Sequence, residues 1–555
     1  MKDIYANIPA DAMHALAPIE LQPEYLDQDS IQVLEKSCLG MGHELLSWGL
    51  TNNPYQVAAI HAESGRSYTY AFLDEQSNQL AKSLIVNGLT VGSRVGLRSK
   101  NTPEAIVAIC GIWKAGGVVV PIPYSAGVKE IEYFINDTGL ETILLDELEM
   151  LSQEDRNSLS VANVKLFEFC RSVMSGTASD IVPLNGSIVV DELPAINVNQ
   201  LAIVWHTGGT TGQPKGCYHT HKRIFLAGKS FCKSAGVLPG ERWAASAPIG
   251  HALGFIHHTI YTIMHGAVAV FIEEYTNPEN ILRSLDFCKV EVFTGMMLTW
   301  AKLDRLITDH REGRFPKSLR HGFAMWQTAS AEDVRKRWME RGVTLNNNYG
   351  STSFGTWVIV PRRENPGPPG CLGIAAEGYQ VECVEISNGA VKKLPANTIG
   401  RLAVKGVSGL TYWNRQEIQA RDIVDGWTLC DDLIKVDDDG FIHYLGRSDF
   451  MISSAGHKIA PVEVEAVIAR FHSIKEVAVV PAPCATRYEQ VVAFIVVDAV
   501  DSEKQFVEKL DAYVRSQLVS YKVPKIYRVV QELPKDSVGK LRTKAIREWA
   551  VELVT

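Results

Sequence analysis

Apolar residues along this chain fall into short unbroken runs that alternate with segments of helical periodicity. The run RVGL at 94–97 precedes a helical pattern over 103–115. VVVPIP at 118–123 precedes another over 126–137, which leads to TILLD at 142–146. Continuous apolar runs mark strands covered on both faces, so this rhythm predicts parallel sheets flanked by helices. A more polar stretch at about 150–199 reads as surface connection, after which LAIVWH (201–206), AVAVFI (267–272) and VEVFTG (290–295) resume the pattern. Past Gly370 the texture changes. VECVEI (381–386), RLAVKG (401–406) and DDDGFIHYLG (437–446), separated by Gly and Asn, predict a β-rich subdomain. From about Phe450 a compact unit follows, with helices at 462–470 and 503–518, strands at 477–482 and 491–497, and a terminal tail. The expected fold is α/β: a large N-terminal body of parallel sheets covered by helices plus a β-rich subdomain, and a small mobile α+β C-terminal domain. The expected division is a body at 1–446, a hinge at 447–449 and a lid at 450–555, each folded part within the usual domain range.

Composition narrows the function. The 555 residues are 46% hydrophobic and 21% charged, which excludes collagen-like, disordered and coiled-coil classes. With 55 Lys and Arg against 63 Asp and Glu, no basic excess exists to neutralise a phosphate backbone, so no nucleic-acid partner is expected. The apolar stretches 105–123 and 259–272 are interrupted by Lys114 or too short to cross a bilayer, so no membrane span is expected. The first 18 residues lack the apolar core of a signal peptide. The ten cysteines contain no CxxC pair and fit reduced thiols, so a cytoplasmic location is expected.

The strongest local chemistry is the run Thr207-Gly208-Gly209-Thr210-Thr211-Gly212-Gln213-Pro214-Lys215-Gly216, directly after LAIVWH. Glycines let backbone N–H groups approach an anion, threonine hydroxyls add donors, and Lys215 adds a mobile positive charge. Such a loop suits a triphosphate. It is not a Walker A loop, because the GxxxxGK[ST] spacing is absent.

This run resembles the signature loop of the adenylate-forming superfamily, which includes acyl- and aryl-CoA synthetases, adenylation domains of peptide synthetases and luciferases. Further motifs follow in family order. Asn348-Tyr349-Gly350-Ser351-Thr352 resembles the adenylate-binding turn, and Asp432 lies where the family has its ribose-binding aspartate. Gly446-Arg447-Ser448-Asp449 resembles the GRxD hinge, and the run from Pro534 and Lys535 to Gly539 and Lys540 resembles the terminal PKxxxGK motif. The resemblance covers about Ser67 to Arg547.

It implies ATP and coenzyme A as cofactors, with a small-molecule carboxylic acid as substrate. Lys540 is implied as the catalytic cation that lets a carboxylate approach an equally negative α-phosphate. Thr352 would donate to that phosphate, and Thr207, Gly209, Thr210, Thr211, Gly212 and Lys215 would hold the rest of the triphosphate. Asn348 offers an amide to the adenine edge and Tyr349 a flat face to its ring. Asp432 would accept the ribose hydroxyls, and Arg447 would donate to ribose or phosphate. His251, in APIGHALGF at 247–255, is carried over as the gate of the acyl site, with Met296, Met297 and Trp326 as lining candidates. Asp449 is the implied pivot. Gly456 would let pantetheine pass once the lid has turned.

The chain also departs from the family pattern. Ser353 stands where the family usually has a glutamate that organises Mg2+, so the ligand for that ion is left open, with Asp431 as one option. Gly208 removes a hydroxyl from the loop, and Cys430-Asp431-Asp432 replaces Thr-Gly-Asp. Phe450 and Ser453 replace residues frequent past the hinge. The segment 449–465 looks most like benzoate and 2-aminobenzoate CoA ligases, and with Trp326 it favours a small or aromatic acid. Three expectations stand: a ligase transferring the acyl group to CoA, an enzyme loading the phosphopantetheine of a separate carrier protein, and a nucleotide-binding relative impaired by Ser353 and Gly208.

Overall fold

The computed structural model describes Leu16 and residues 40–146, 151–152, 155–156, 159, 164–169, 192–207, 214–309, 315–325, 330–363, 365–454, 457–484, 486–497, 502–535 and 541–554. Of His257, Met325, Ser330, Ala331, Asp449 and Lys458 it describes the backbone.

Among the described residues the chain forms four sheets. The first runs in the order Lys165–Glu168, Thr142–Leu145, Arg94–Arg98, Val118–Pro121, Leu201–Thr207, Lys215–Thr220. Its pairs are parallel except the last, an antiparallel hairpin. The second runs Thr344–Asn347, His321–Met325, Val292–Met296, Arg242–Ala245, Val268–Phe271, Val57–His61, Ser67–Thr69, again parallel up to an antiparallel last pair.

Helices fill the space beside these sheets because their ends are specified locally. Thr69 caps Tyr70–Val86 by accepting from the Phe72 N–H at 3.2 Å, and Thr220 caps His221–Ala235 through the Arg223 N–H. The second of these helices stops at Gly236, whose φ of 64° suits a residue without Cβ. Glu104–Lys114 is buried along its whole length, and its Trp113 indole donates to the Ala202 carbonyl at 2.7 Å. Lys114, fully buried, is satisfied there by Asp74 at 2.7 Å and the Ser77 hydroxyl at 2.8 Å. Burying a lysine is tolerable only with such partners.

The third sheet is antiparallel and carries Tyr349–Ser351, Thr356–Val360, Cys371–Ala375, Ile442–Arg447, Trp427–Val436, Ile399–Gly406, Tyr379–Ser387 and Ala390–Lys393, with Ile423–Val424 paired to the side. This is the expected β-rich part. The fourth sheet holds His457–Ile459, Ile452–Ser454, Tyr488–Val497, Ile474–Cys484 and Ile526–Val529, packed with helices Pro461–Ile468, Glu503–Gln517 and Thr543–Glu552. Its two apolar clusters draw all their described members from Ile452 onward.

Two expectations are corrected. The stretch at 150–199 is not only connection, because Lys165–Glu168 extends the first sheet as a parallel edge strand. The terminal tail is ordered into Ile526–Val529, parallel to Tyr488–Val497, and the helix Thr543–Glu552. Among the described residues no helix is long and apolar enough to cross a membrane.

Candidate active site

Asp432 sits midway along Trp427–Val436, opposite Arg447 of the neighbouring strand. Both of its carboxylate oxygens are gripped by phenols: Tyr349 donates to Oδ2 at 2.5 Å and Tyr444 to Oδ1 at 3.1 Å. Desolvation, and then the neighbouring Cys430 and Asp432, push the Tyr349 phenol well above its ordinary range, so it remains a donor. A carboxylate has about four lone-pair sites, so each oxygen keeps capacity for one further donor. Asp431, one residue back, points its charge elsewhere as strand alternation requires. It pairs with Arg401 at 3.1 Å and Arg447 at 3.4 Å. The Arg447 guanidinium also lies 5.9 Å from the centre of the Phe450 ring.

The turn after Thr344–Asn347 brings Tyr349 to this carboxylate. Asn348 is 2% exposed, and its amide spans two elements, donating to the Ala324 carbonyl at 2.9 Å and accepting from the Trp357 indole at 3.0 Å. These two contacts tie the amide into the framework and leave it one N–H and one lone pair. Asn348→Ala would leave a buried indole N–H and a carbonyl unpaired, at a cost of about 1–3 kcal/mol each at most. Its expected result is a lower denaturant midpoint, read by urea titration.

Thr352 is held from below: the His219 Nε2–H donates to its carbonyl at 3.4 Å. His219 is fully buried against Trp205, with ring centres 5.4 Å apart. Burial, reinforced by Arg223, brings its pKa down to about 3, so the ring is neutral at physiological pH. Gly355 takes φ 63° three residues on, and its carbonyl accepts from the Tyr261 hydroxyl at 2.6 Å. The Ser353 hydroxyl lies 2.5 Å from that of Ser351. Among the described residues no group of three His, Cys, Asp or Glu side chains is arranged to hold a metal ion. Ser353 offers only a hydroxyl and Asp431 is already paired with two arginines, so neither is a strong ligand for Mg2+.

The two flanks of the glycine-rich run face each other across the hairpin, Thr207 opposite Lys215, with the Thr207 hydroxyl donating to the Lys215 carbonyl at 3.4 Å. The Lys215 ammonium lies 5.7 Å from the centre of the Tyr412 ring. Gly209, Thr210, Thr211 and Gly212, with Gly208, lie outside the described residues, as do Gly456, Trp326 and Lys540. Asp449 falls within the short turn Ser448–Phe450 at the end of Ile442–Arg447.

His251 is exposed and caps the short helix Ala252–Phe255, its Nδ1 accepting from the Leu253 N–H at 3.3 Å. The segment that carries it is fixed by the buried Asn101, whose amide donates to the Ala247 carbonyl and accepts from the Ile249 N–H, both at 2.8 Å. Met296 ends Val292–Met296 and is half-buried, whereas Met297 packs on the core of the second sheet. The structure thus brings Tyr349, Thr352, Asp432 and Arg447 onto one sheet region. Tyr444 and His219 join it through Asp432 and Thr352, and Asn101 fixes the separate segment that carries His251.

A family model described as AMP-binding enzyme matches residues 47–412, and one described as AMP-binding enzyme C-terminal domain matches 463–540. The chain is 26% identical over 524 residues to a long-chain-fatty-acid–CoA ligase of Bacillus subtilis (strain 168), covering 88% of this chain and 91% of the relative. It is 24% identical over 509 residues to a 3-hydroxybenzoate–CoA ligase of Aromatoleum sp. (strain CIB), covering 91% and 94%. Its fold matches the crystal structure of the anthranilate CoA ligase AuaEII in complex with anthranoyl-AMP, with TM-score 0.81, 24% identity and coverage of 93% and 98%. The first match alone spans well over half of the chain, and the motif order read from the sequence agrees with it. The chain therefore belongs to the AMP-binding enzyme family, the family of its CoA-ligase relatives.

Proposed function

We propose that the protein joins a carboxylic acid to the thiol of coenzyme A through an acyl-adenylate. The reading is carried by the Asp432 carboxylate, held between two phenols beside the Thr352 turn, within a chain that matches the AMP-binding model over 47–412. In the first step a carboxylate oxygen attacks the α-phosphorus of ATP, the bond from that phosphorus to the β-bridging oxygen breaks, and pyrophosphate leaves. Asp432 accepts the ribose hydroxyls, Tyr349 offers its ring to the base, Thr352 donates to the α-phosphate, and Thr207 and Lys215 meet the remaining phosphates. Lys540 supplies the cation between the two anions, where a partly dry site strengthens its effect. In the second step the sulfur of CoA attacks the acyl carbon and AMP departs as the carbon–oxygen bond to the phosphate breaks.

Between steps the unit beyond Asp449 turns, withdrawing Lys540 and presenting the segment around Gly456. The separate apolar clusters from Ile452 onward support such a turn, because no described core member bridges the junction. The motif texture of 449–465 and the 3-hydroxybenzoate–CoA ligase relative support a small or aromatic acid.

Release of pyrophosphate from ATP with a panel of carboxylic acids, with and without CoA, tests the reading. The expected result is acid-dependent pyrophosphate release with at least one small or aromatic acid, and a CoA thioester identified by mass. Protein that binds ATP yet releases no pyrophosphate with any acid would retire it. Tyr349→Phe and Tyr444→Phe each remove one donor worth about 0.5–1.5 kcal/mol. Each is expected to raise the KM for ATP by roughly two- to tenfold while the KM for the acid holds, as steady-state kinetics would show.

A further inference from the structure

The last turn of the helix Val128–Thr138 meets both flanks of the glycine-rich run, and the meeting is polar and buried. The Asp137 Oδ2 lies 3.0 Å from the His206 Nε2, with the two side chains 5% and 3% exposed. His206 immediately precedes Thr207 in the strand Leu201–Thr207. Its ring packs on Phe134 with centres 4.5 Å apart. One turn earlier on the same helix, Tyr133 donates to the Pro214 carbonyl at 2.5 Å, on the residue just before Lys215.

The other oxygen of Asp137 accepts from Arg415 Nη2 at 2.8 Å, and the Asp137 carbonyl accepts from the Trp413 indole at 2.8 Å. Arg415 also donates to the Tyr133 hydroxyl at 3.3 Å. The segment that carries Trp413 and Arg415 runs beside the strand Lys215–Thr220: the Trp413 N–H donates to the Gly216 carbonyl at 2.7 Å, and Tyr412 bridges to Cys217. Its Tyr412 ring is the one beside the Lys215 ammonium. Gly216 is needed for this closeness, since a Cβ there would fall 2.9 Å from the Trp413 Cβ and 3.4 Å from the Asp137 Oδ2. Burial alone would raise the Asp137 carboxyl, but hydrogen bonds and charge from His206 and Arg415 outweigh it and hold it below the usual carboxylate range.

A buried ionic cluster of this sort is weak evidence for stability, because apolar residues of equal volume often serve as well or better. Its distinguishing product is geometry: one carboxylate locks Thr207 through His206, and the Tyr412 platform of Lys215 through Arg415. We propose that Asp137 and His206 are positioning residues that set Thr207 and Lys215 for the phosphates of the nucleotide. The proposal rests on the ATP-dependent reading above.

The test compares wild type with Asp137→Asn, His206→Leu and His206→Gln in the full-length protein. It measures equilibrium ATP binding, the KM for ATP and for the acid, and the thermal midpoint. Asp137→Asn and His206→Leu are expected to weaken ATP at least tenfold and leave the KM for the acid within twofold. His206→Gln, which keeps a donor near the position of Nε2, is expected to recover most of that loss. Equal rises in both KM values, or a folded His206→Leu that binds ATP as wild type does, would overturn the clamp. Should Asp137→Asn fail to fold, the two His206 variants decide. Wild-type protein that binds no ATP overturns the functional reading and the clamp with it, whereas binding by wild type and all variants alike overturns the clamp alone.

Discussion

Lys540→Ala is expected to slow acyl-adenylate formation by roughly 10²–10³-fold, the cost of removing one preorganised group that meets charge developing in a transition state. The second half-reaction, started from supplied acyl-adenylate and CoA, is expected to change by less than about tenfold, because under the proposed division of labour the lid has by then withdrawn the ammonium. Conservative replacement by arginine is expected to restore little, since a bulkier planar guanidinium aims its donors in a fixed fork where a compact ammonium fits as a point charge. Rapid-quench measurement of each half-reaction separates the two effects. If the two half-reactions slow to the same extent, one cation does not serve only the first of them.

Acidification is expected to destabilise the body progressively as pH falls from about 6.5 to 4.5. His219, His221 and His258 are each at most 1% exposed, and burial brings each pKa down to about 3. Arg223 adds to the effect on His219. A base with a depressed pKa in the fold takes up its proton only on unfolding, so its stabilising share is complete above about 6.5 and declines as pH falls toward 3. At pH 5 each would cost about 2 kcal/mol relative to neutral pH, and the three together about 6 kcal/mol, against a net stability on the order of 5–15 kcal/mol. Urea unfolding followed from pH 7.5 to 4.5 should therefore show a falling midpoint and an uptake approaching three protons per molecule. His258→Phe, which keeps an aromatic ring against Phe271, is expected to remove about one proton from that uptake. A midpoint that stays level over this interval would exclude neutral buried imidazoles.

The parallel part of the fold was legible because its central strands are buried on both faces and therefore spelled in unbroken apolar letters. Val118–Pro121 and Leu201–Thr207 fall inside or beside the predicted runs. Strands with polar letters escaped notice. Thr344–Asn347 buries Asn346 and Asn347, His321–Met325 begins on histidine, and the edge strand Lys165–Glu168 is largely solvent-facing. Sequence-based reading has no signal for a strand that buries polar side chains. The same limit applied to the site. Asp432 and Tyr349 stood out through motif order, but Tyr444 and His219 act through folding contacts alone, and Asp137 meets Arg415 across 278 positions. Asn348 shows the converse: its motif was visible, but its amide's contacts with Ala324 and Trp357 were not.

The two C-terminal apolar clusters, built only from described residues at Ile452 and beyond, carry a consequence for how such enzymes diversify. Neither shares a described member with the clusters of the body, so a core mutation there need not be matched by repacking beyond Ile452. Under the proposed reaction, natural selection can then vary the choice of acid and the C-terminal unit as independent inheritances, and such a unit transplanted from a sister enzyme should fold on arrival.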